Sequence, residues 1–300
     1  MPMEHSPKIE YYQKRPFGDK LNATFAFLRE NAWPYLKVQL LIAGPILLLV
    51  NIIVGQFQLS VLSFDVTQDP DSFFGDFFRV YGFLLMAAMI AGSIVPTLAY
   101  NYMERYQSLA PVDITIAQVT RKFGKRFLYV LAYNIITAIV SVIGAIFFFI
   151  PGIYLWVVLS LGSCVIVFEG TDPLTAFGRC FTLIKEKWFS TFGLLIVTFI
   201  VGYIVSMLFS LPQSIIYGLW AFSSLESGTL NEAEMPLYME VLSIVFATLQ
   251  SFGNILMYSL IYIGLAFQYF NLVEMRESRG LMSRIESMDQ EQNDEEGETY

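Results

Sequence analysis

A run of 42 residues without a charged side chain, 127–168, constrains the fold of this chain more than any other feature. At about 1.5 Å per residue, one helix of this length would be about twice as long as the hydrocarbon core of a bilayer. Pro151 and Gly152 stand side by side near the middle of the run, and both residue types disfavour a helix interior. The run therefore predicts two membrane-spanning helices, with Pro151 and Gly152 at the tip of a tight hairpin.

Four more apolar blocks lie at about 36–56, 80–103, 188–211 and within 241–270. Charged residues make up 15% of the chain, whereas soluble domains carry about 25%. We therefore predict an all-α polytopic membrane protein with six transmembrane helices. The predicted domains are a cytoplasmic N-terminal segment with an amphipathic helix (1–35), a six-helix transmembrane domain (36–270) and an acidic, disordered cytoplasmic tail (271–300).

The basic residues indicate an orientation. All but one of the 18 Lys and Arg residues fall in four regions. These are the N-terminal segment, the link between spans two and three, the link between spans four and five, and the C-terminal segment. A six-span topology puts all four regions on one side, and Arg79 is the exception. Because cytoplasmic loops are enriched in Lys and Arg, we expect both termini in the cytoplasm and the protein in a bacterial cytoplasmic membrane.

An amphipathic segment at 171–188 follows the fourth predicted span, which ends near residue 168. Asp172 can cap a helix that has Pro173 at its first position. Apolar side chains then recur at helical spacing on one face, as in helices that lie in the membrane interface. The candidate interfacial or partner-binding residues are Phe177, Arg179, Phe181, Lys185 and Trp188. Phe177, Phe181 and Trp188 share the apolar face with Leu174 and Ile184, whereas Arg179 and Lys185 point elsewhere.

Comparable segments precede the other two pairs of spans, with Leu21, Phe25 and Leu28 in the first and Ile116, Val119 and Phe123 in the second. We therefore expect an amphipathic cytoplasmic helix before each helix pair. Duplication of one unit and chance similarity of amphipathic helices both explain the match.

Few side chains suggest chemistry. His5 is the single histidine, and no HExxH, GxSxG or P-loop pattern occurs. We therefore predict no enzyme and assign no catalytic, cofactor-binding or metal residue. Asn134, Glu169 and Asn254 are candidate polar site residues; they either line a pathway or, as is commoner, join helices and mark span ends.

The stretch 151–197 carries a family resemblance. Its matching pieces are Pro151-Gly152-Ile153-Tyr154, Phe168-Glu169-Gly170, the amphipathic segment through Phe181, and 185–188. This stretch resembles the membrane domain found fused to some glycerophosphoryl diester phosphodiesterases and also found alone. The resemblance implies a membrane domain without the enzyme, because the chain has no room for a catalytic barrel of roughly 250 residues.

Two functions remain open from the sequence. The first is a non-enzymatic membrane protein that serves as an assembly, anchoring or regulatory module. Its expected partners are membrane lipids and a protein in the membrane or cytoplasm, and no nucleic acid. The alternative is a transporter, channel or lipid-translocating protein, which the in-span prolines Pro45 and Pro96 favour.

Overall fold

A computed structural model describes residues 8–62, 70–147, 149–226 and 236–282, together with 284, 285 and 288. It is 89% helical, and the described ranges contain no strand, so the predicted all-α class is confirmed. The end of the acidic tail, 289–300, lies outside the described residues. The helices are α1 (Phe17–Leu62), α2 (Pro70–Ser108), α3 (Ile116–Thr120), α4 (Phe123–Phe147), α5 (Phe149–Leu159), α6 (Gly162–Glu169), α7 (Pro173–Ile184), α8 (Trp188–Glu226) and α9 (Leu237–Glu277), with a short 3-10 turn at Pro111–Asp113.

Six helical segments are long and apolar enough to cross a membrane, as the sequence predicts. The fourth of them is built from two helices, α5 and α6, which a turn at Ser160 and Leu161 separates. The six segments are Phe17–Val50, Tyr81–Ser108, Phe123–Gly144, Ile150–Glu169, Trp188–Ser223 and Leu237–Glu277.

The chain reverses between α4 and α5, but Pro151 and Gly152 lie in the first turn of α5 rather than at the tip of the hairpin. A proline fits there because the first N–H groups of a helix have no intrahelical acceptor. Gly152 faces Gly144 across the hairpin, where a Cβ on Gly144 would lie 3.6 Å from the Gly152 Cα. The glycines therefore allow the two helices to pack closely.

The amphipathic segments before the three helix pairs differ from one another. The first is continuous with span one, because α1 runs unbroken through Pro34 and Pro45 and has no end at the predicted border near residue 35. Contacts of α1 with α2 and α9 offset the backbone hydrogen bonds that the two prolines remove. The second segment forms only the five-residue α3, whereas the third forms the separate helix α7.

The segments rich in Lys and Arg meet at one end of the helix bundle, which we call the basic end. Here the N-terminal segment packs beneath the C-terminal part of α9, and the buried Tyr11 ring stacks on Phe270 at 4.6 Å. The segments are joined by hydrogen bonds from Lys8 to the Gln107 carbonyl (3.3 Å), from the Arg15 amide to Asn271 (2.7 Å), from Arg276 to the Leu183 carbonyl (3.2 Å) and from Arg284 to Glu10 (2.6 Å). Basic segments that are far apart in the sequence therefore share one side of the molecule.

Candidate functional site

Helix α7 begins as the sequence predicts. The Asp172 carboxylate accepts hydrogen bonds from the N–H groups of Leu174 and Thr175, both at 3.1 Å, and Pro173 occupies the first helical position. The hydrogen bonds from Thr175 hold the pKa of Asp172 below its ordinary value. Gly170, with φ of +70°, turns the chain from α6 into this cap, a conformation that favours glycine.

Helix α7 lies across the ends of the bundle, since its 12 residues contact α4, α5, α6 and α9. The face toward the bundle buries Ala176, Cys180, Leu183 and Ile184. Burial raises the pKa of Cys180 to about 12. Cys180 therefore remains a neutral thiol that serves in packing.

The predicted apolar face of α7 is divided between the bundle and the outside, because Ile184 is buried and Phe177 and Phe181 pack partly against the core. Leu174 is 72% exposed, and Phe177 and Phe181 are half-buried, with ring centroids 5.5 Å apart. We call these three side chains the outer face of α7. The small residues Ala176 and Cys180 let α7 approach the bundle closely, and Leu183 and Ile184 pack inward beside them.

Arg179 lies in an ion-pair cluster on the inner side of α7 and not on the outer face. Its Nε donates to both carboxylate oxygens of Glu169 at 3.1 Å, and its guanidinium also contacts Glu277. The Tyr269 hydroxyl donates to Glu169 at 3.0 Å. Burial opposes the charge of Arg179, but Glu277 and Glu169 outweigh it and raise its pKa. The cluster therefore ties α7 to α6 and α9.

Lys185 caps the end of α7, and Trp188 is the first residue of α8. The Lys185 side chain is exposed, and its carbonyl accepts a hydrogen bond from Arg276 at 2.6 Å. The Trp188 indole stacks on Tyr154 and Phe192, and its Nε1 donates to the Tyr154 carbonyl at 3.3 Å. Aromatic rings with one polar atom are typical of the membrane–water boundary.

The candidate polar residues do not converge on one site. Asn134 donates to Ser93 at 2.9 Å and joins α4 to α2. Asn254 accepts from Ser206 at 2.7 Å and joins α9 to α8. Glu169 belongs to the Arg179 cluster. Each of the three therefore connects helices, which is the commoner role of polar residues in membrane bundles.

Sequence reasoning missed a buried polar face on α1, which we call the polar seam. It consists of Lys20, Thr24, Asn31, Tyr35 and Gln39, all buried at helical spacing. Lys20 donates to the side chains of Gln268 (2.7 Å) and Ser190 (2.9 Å), and no carboxylate pairs with it in the described part of the chain. A search for polar as well as apolar periodicity would have found this face.

Other helices supply partners along the polar seam. Tyr102 donates to Asn31 at 3.0 Å, Tyr35 donates to Ser259 at 2.9 Å, and the Gln39 amide donates to the Val95 carbonyl at 3.2 Å. The Gln39 Oε1 is buried and has no hydrogen-bond partner among the described residues. The seam is therefore satisfied along most of its length and incomplete at its deep end.

Acidic and metal-ligating side chains do not gather elsewhere in the described ranges. No group of three or more His, Cys, Asp or Glu residues there is placed to hold a metal ion. The polar atoms of the basic end are instead arranged in pairs and small clusters between helices.

Six apolar helical spans indicate a helical multi-pass membrane protein. The chain belongs to the family described as Domain of unknown function (DUF7847), whose family model matches residues 38–262. That match extends from the middle of α1 into α9. No curated protein and no solved structure matches the chain.

Proposed function

We propose that this protein is a non-enzymatic integral membrane protein that anchors or regulates a partner protein at the surface of a bacterial cytoplasmic membrane. The observation that carries the proposal is the outer face of α7. It leaves Leu174 exposed and the rings of Phe177 and Phe181 half-buried, whereas the opposite face of the same helix is fully buried.

The attachment of α7 makes this outer face a defined surface. The Asp172 cap fixes the beginning of the helix, and Arg179 pairs it with Glu169 and Glu277. A partner that binds a pre-ordered helix loses less conformational entropy than one that must first order it. The apolar character of the outer face suits a partner helix at the same membrane depth.

In this proposal the basic end faces the cytoplasm, together with both termini. The sorting of Lys and Arg supports that orientation, as does the meeting of the basic segments at one end of the bundle. Reporter fusions after residue 300 and within 63–69 test it. A cytoplasmic reporter should be active only at the first position, and activity only at the second would reverse the orientation.

The partner is tested by a photo-crosslinking residue at Leu174 in living cells. The expected result is one discrete protein adduct, which Phe177→Ser abolishes because it removes an adjacent apolar contact. The matched control is the same crosslinker at Ile139 of α4, an exposed apolar position within a span. Identical adducts from both positions, or an adduct that Phe177→Ser leaves unchanged, would contradict the proposal.

The resemblance to a membrane domain found both fused to an enzyme and alone also supports a module that works beside another protein. A second candidate function, transport of a solute or lipid, is favoured by the polar seam. The seam extends over about 28 Å of α1, from Lys20 to Gln39, close to the thickness of the hydrocarbon core.

Liposomes that contain the purified protein test the second function. A transporter should move ions, small solutes or fluorescent lipids faster than empty liposomes, and Gln39→Leu should slow that movement. Equal rates with and without the protein across these three classes would remove the transport alternative.

A further inference from the structure

A pocket of about 410 Å³ opens at the basic end, where α4 begins beside the link from α6 to α7. The residues that line it include four cationic side chains, Tyr129 and Thr171. We call it the basic pocket; its cations are Arg121, Lys122, Lys125 and Arg126.

Two of the four cations share one carboxylate. Glu104 pairs with Arg126 and, at 3.3 Å, with Lys122. No carboxylate pairs with Arg121 or Lys125 in the part of the chain that the structure describes. The Lys125 ammonium instead lies 5.3 Å from the centre of the Tyr129 ring. The basic pocket therefore has an excess of positive charge that an anion would balance.

The local backbone adds to this excess. The cations lie at the N-terminal end of α4, whose first turn contains no acidic residue. The N-terminus of a helix carries a partial positive charge, so cations are unfavourable there and anions favourable. In the same pocket the Thr171 hydroxyl is buried and has no hydrogen-bond partner among the described residues. That hydroxyl could donate to an oxygen of a bound anion.

An apolar stripe continues from the basic pocket along α4. Arg121 and Lys125 share a helix face with the residues that follow at spacings of three, four and seven. On this face Leu128 is 60% exposed and Ile139 is 56% exposed. The remaining exposed members of the stripe are Ile135 and Val142. A charged pocket above an apolar stripe matches a ligand with an anionic head and an apolar chain.

We propose that the basic pocket binds the phosphate of an anionic phospholipid, with an acyl chain of the same lipid on the α4 stripe. Arg121 and Lys125 supply the unpaired charge, and Thr171 supplies a neutral donor. Basic pockets between spans on the cytoplasmic side are suited to such headgroups. The proposal goes beyond the role of α7 and does not depend on a protein partner.

The test is native mass spectrometry of the full-length, delipidated protein titrated with phosphatidylglycerol or phosphatidylcholine of identical acyl chains. Phosphatidylglycerol should bind at least about tenfold more tightly. Arg121→Gln with Lys125→Gln should remove that preference, because each basic residue near a membrane surface contributes about 1 kcal/mol toward anionic lipid. Arg121→Lys with Lys125→Arg should retain it, because the charge is unchanged.

The matched control is Lys14→Gln with Arg29→Gln, which removes one Lys and one Arg from exposed positions outside the basic pocket. It should leave the preference within about twofold of wild type. Equal binding of the two lipids by wild type, or an equal loss in the control, would overturn the proposal. Displacement of phosphatidylglycerol by soluble glycerol phosphate at equal concentration would also overturn it, because the acyl chain would then contribute nothing.

Discussion

The two halves of α9 are in different environments, although they belong to one continuous helix. Every residue of 263–274 is buried within the protein. In 237–250, by contrast, Ala247 is the single buried residue, and Leu237 is 76% exposed. We call these regions the inner half and the outer half of α9. Both are mainly apolar, so their sequences alone do not reveal the difference.

The inner half is covered by protein and therefore tolerates polar side chains that have partners. Gln268 accepts from Lys20, Asn271 accepts from the Arg15 amide, and Glu274 accepts from the Gly280 amide. Between the two halves, α9 packs against α8 where Gly253 meets Phe209 and Met257 meets Gly202. The outer half extends beyond these contacts. Its apolar side chains are left for lipid to cover. The comparison indicates that specific packing is concentrated at the basic end.

The largest expected effect is from Gly162→Ala near the inner half. A Cβ at Gly162 would overlap the Tyr133 ring, whose hydroxyl donates to the Leu159 carbonyl at 2.8 Å. Moving the ring would break that buried hydrogen bond, so we expect a loss of about 3 kcal/mol in the free energy of unfolding. Circular dichroism during titration with sodium dodecyl sulfate measures it.

Gly218→Ala in α8 is the matched control for that substitution. No heavy atom lies within 4 Å of the added Cβ, and alanine is the better helix former by about 0.8–1 kcal/mol. The control should therefore be neutral or stabilising. Equal losses from the two substitutions would contradict the proposed contrast between a packed end and an open one.

An intermediate effect is expected from Arg179→Met. The substitution leaves the partly buried Glu169 and Glu277 without their shared cation. Loss of one partner from a fully buried pair costs about 3–5 kcal/mol, and partial exposure should reduce the cost to about 2 kcal/mol. Thermal melting in detergent measures the change.

Arg279→Gln removes a more exposed partner of Glu277 and should cost less than about 1 kcal/mol. It is the control for Arg179→Met because the same carboxylate loses a different cation. If Arg279→Gln were the more damaging change, the attachment of α7 through Arg179 would be incorrect.

The six spans and the Asp172 cap were predictable because each depends on local sequence. Bilayer thickness fixes how long an apolar helix must be, and a cap requires only neighbouring residues. The face of α7 that packs was not predictable in this way. Ala176 and Cys180 are fully buried because they are small, whereas Phe177 is only half-buried against the core. A bilayer accepts large apolar side chains as readily as a protein core does.

The polar contacts of the basic end depend on tertiary structure. Lys20 lies in the segment predicted to be cytoplasmic, outside the transmembrane domain. It is nevertheless buried, because α1 is continuous and packs beside α8 and α9. The pairing of Glu104 with Arg126 likewise joins residues on two helices. Neither contact has a local signal, which is why the sequence indicates the charge of the basic end but not its pairing.

The smallest expected effect compares two hydrogen bonds between the halves of α9, at Ser259 nearer the inner half and at Asn254 nearer the outer half. Ser259→Ala removes the acceptor of the Tyr35 hydroxyl, which is fully buried, whereas Ser206→Ala removes the donor to Asn254 on the partly buried α8–α9 contact. We expect losses of about 1 kcal/mol and about 0.5 kcal/mol in the free energy of unfolding, because a polar group left inside protein has fewer alternative partners. Replicate titrations with sodium dodecyl sulfate can resolve this difference. A larger loss from Ser206→Ala would mean that the outer contact is the better shielded one, and the contrast between the two environments would have to be reversed.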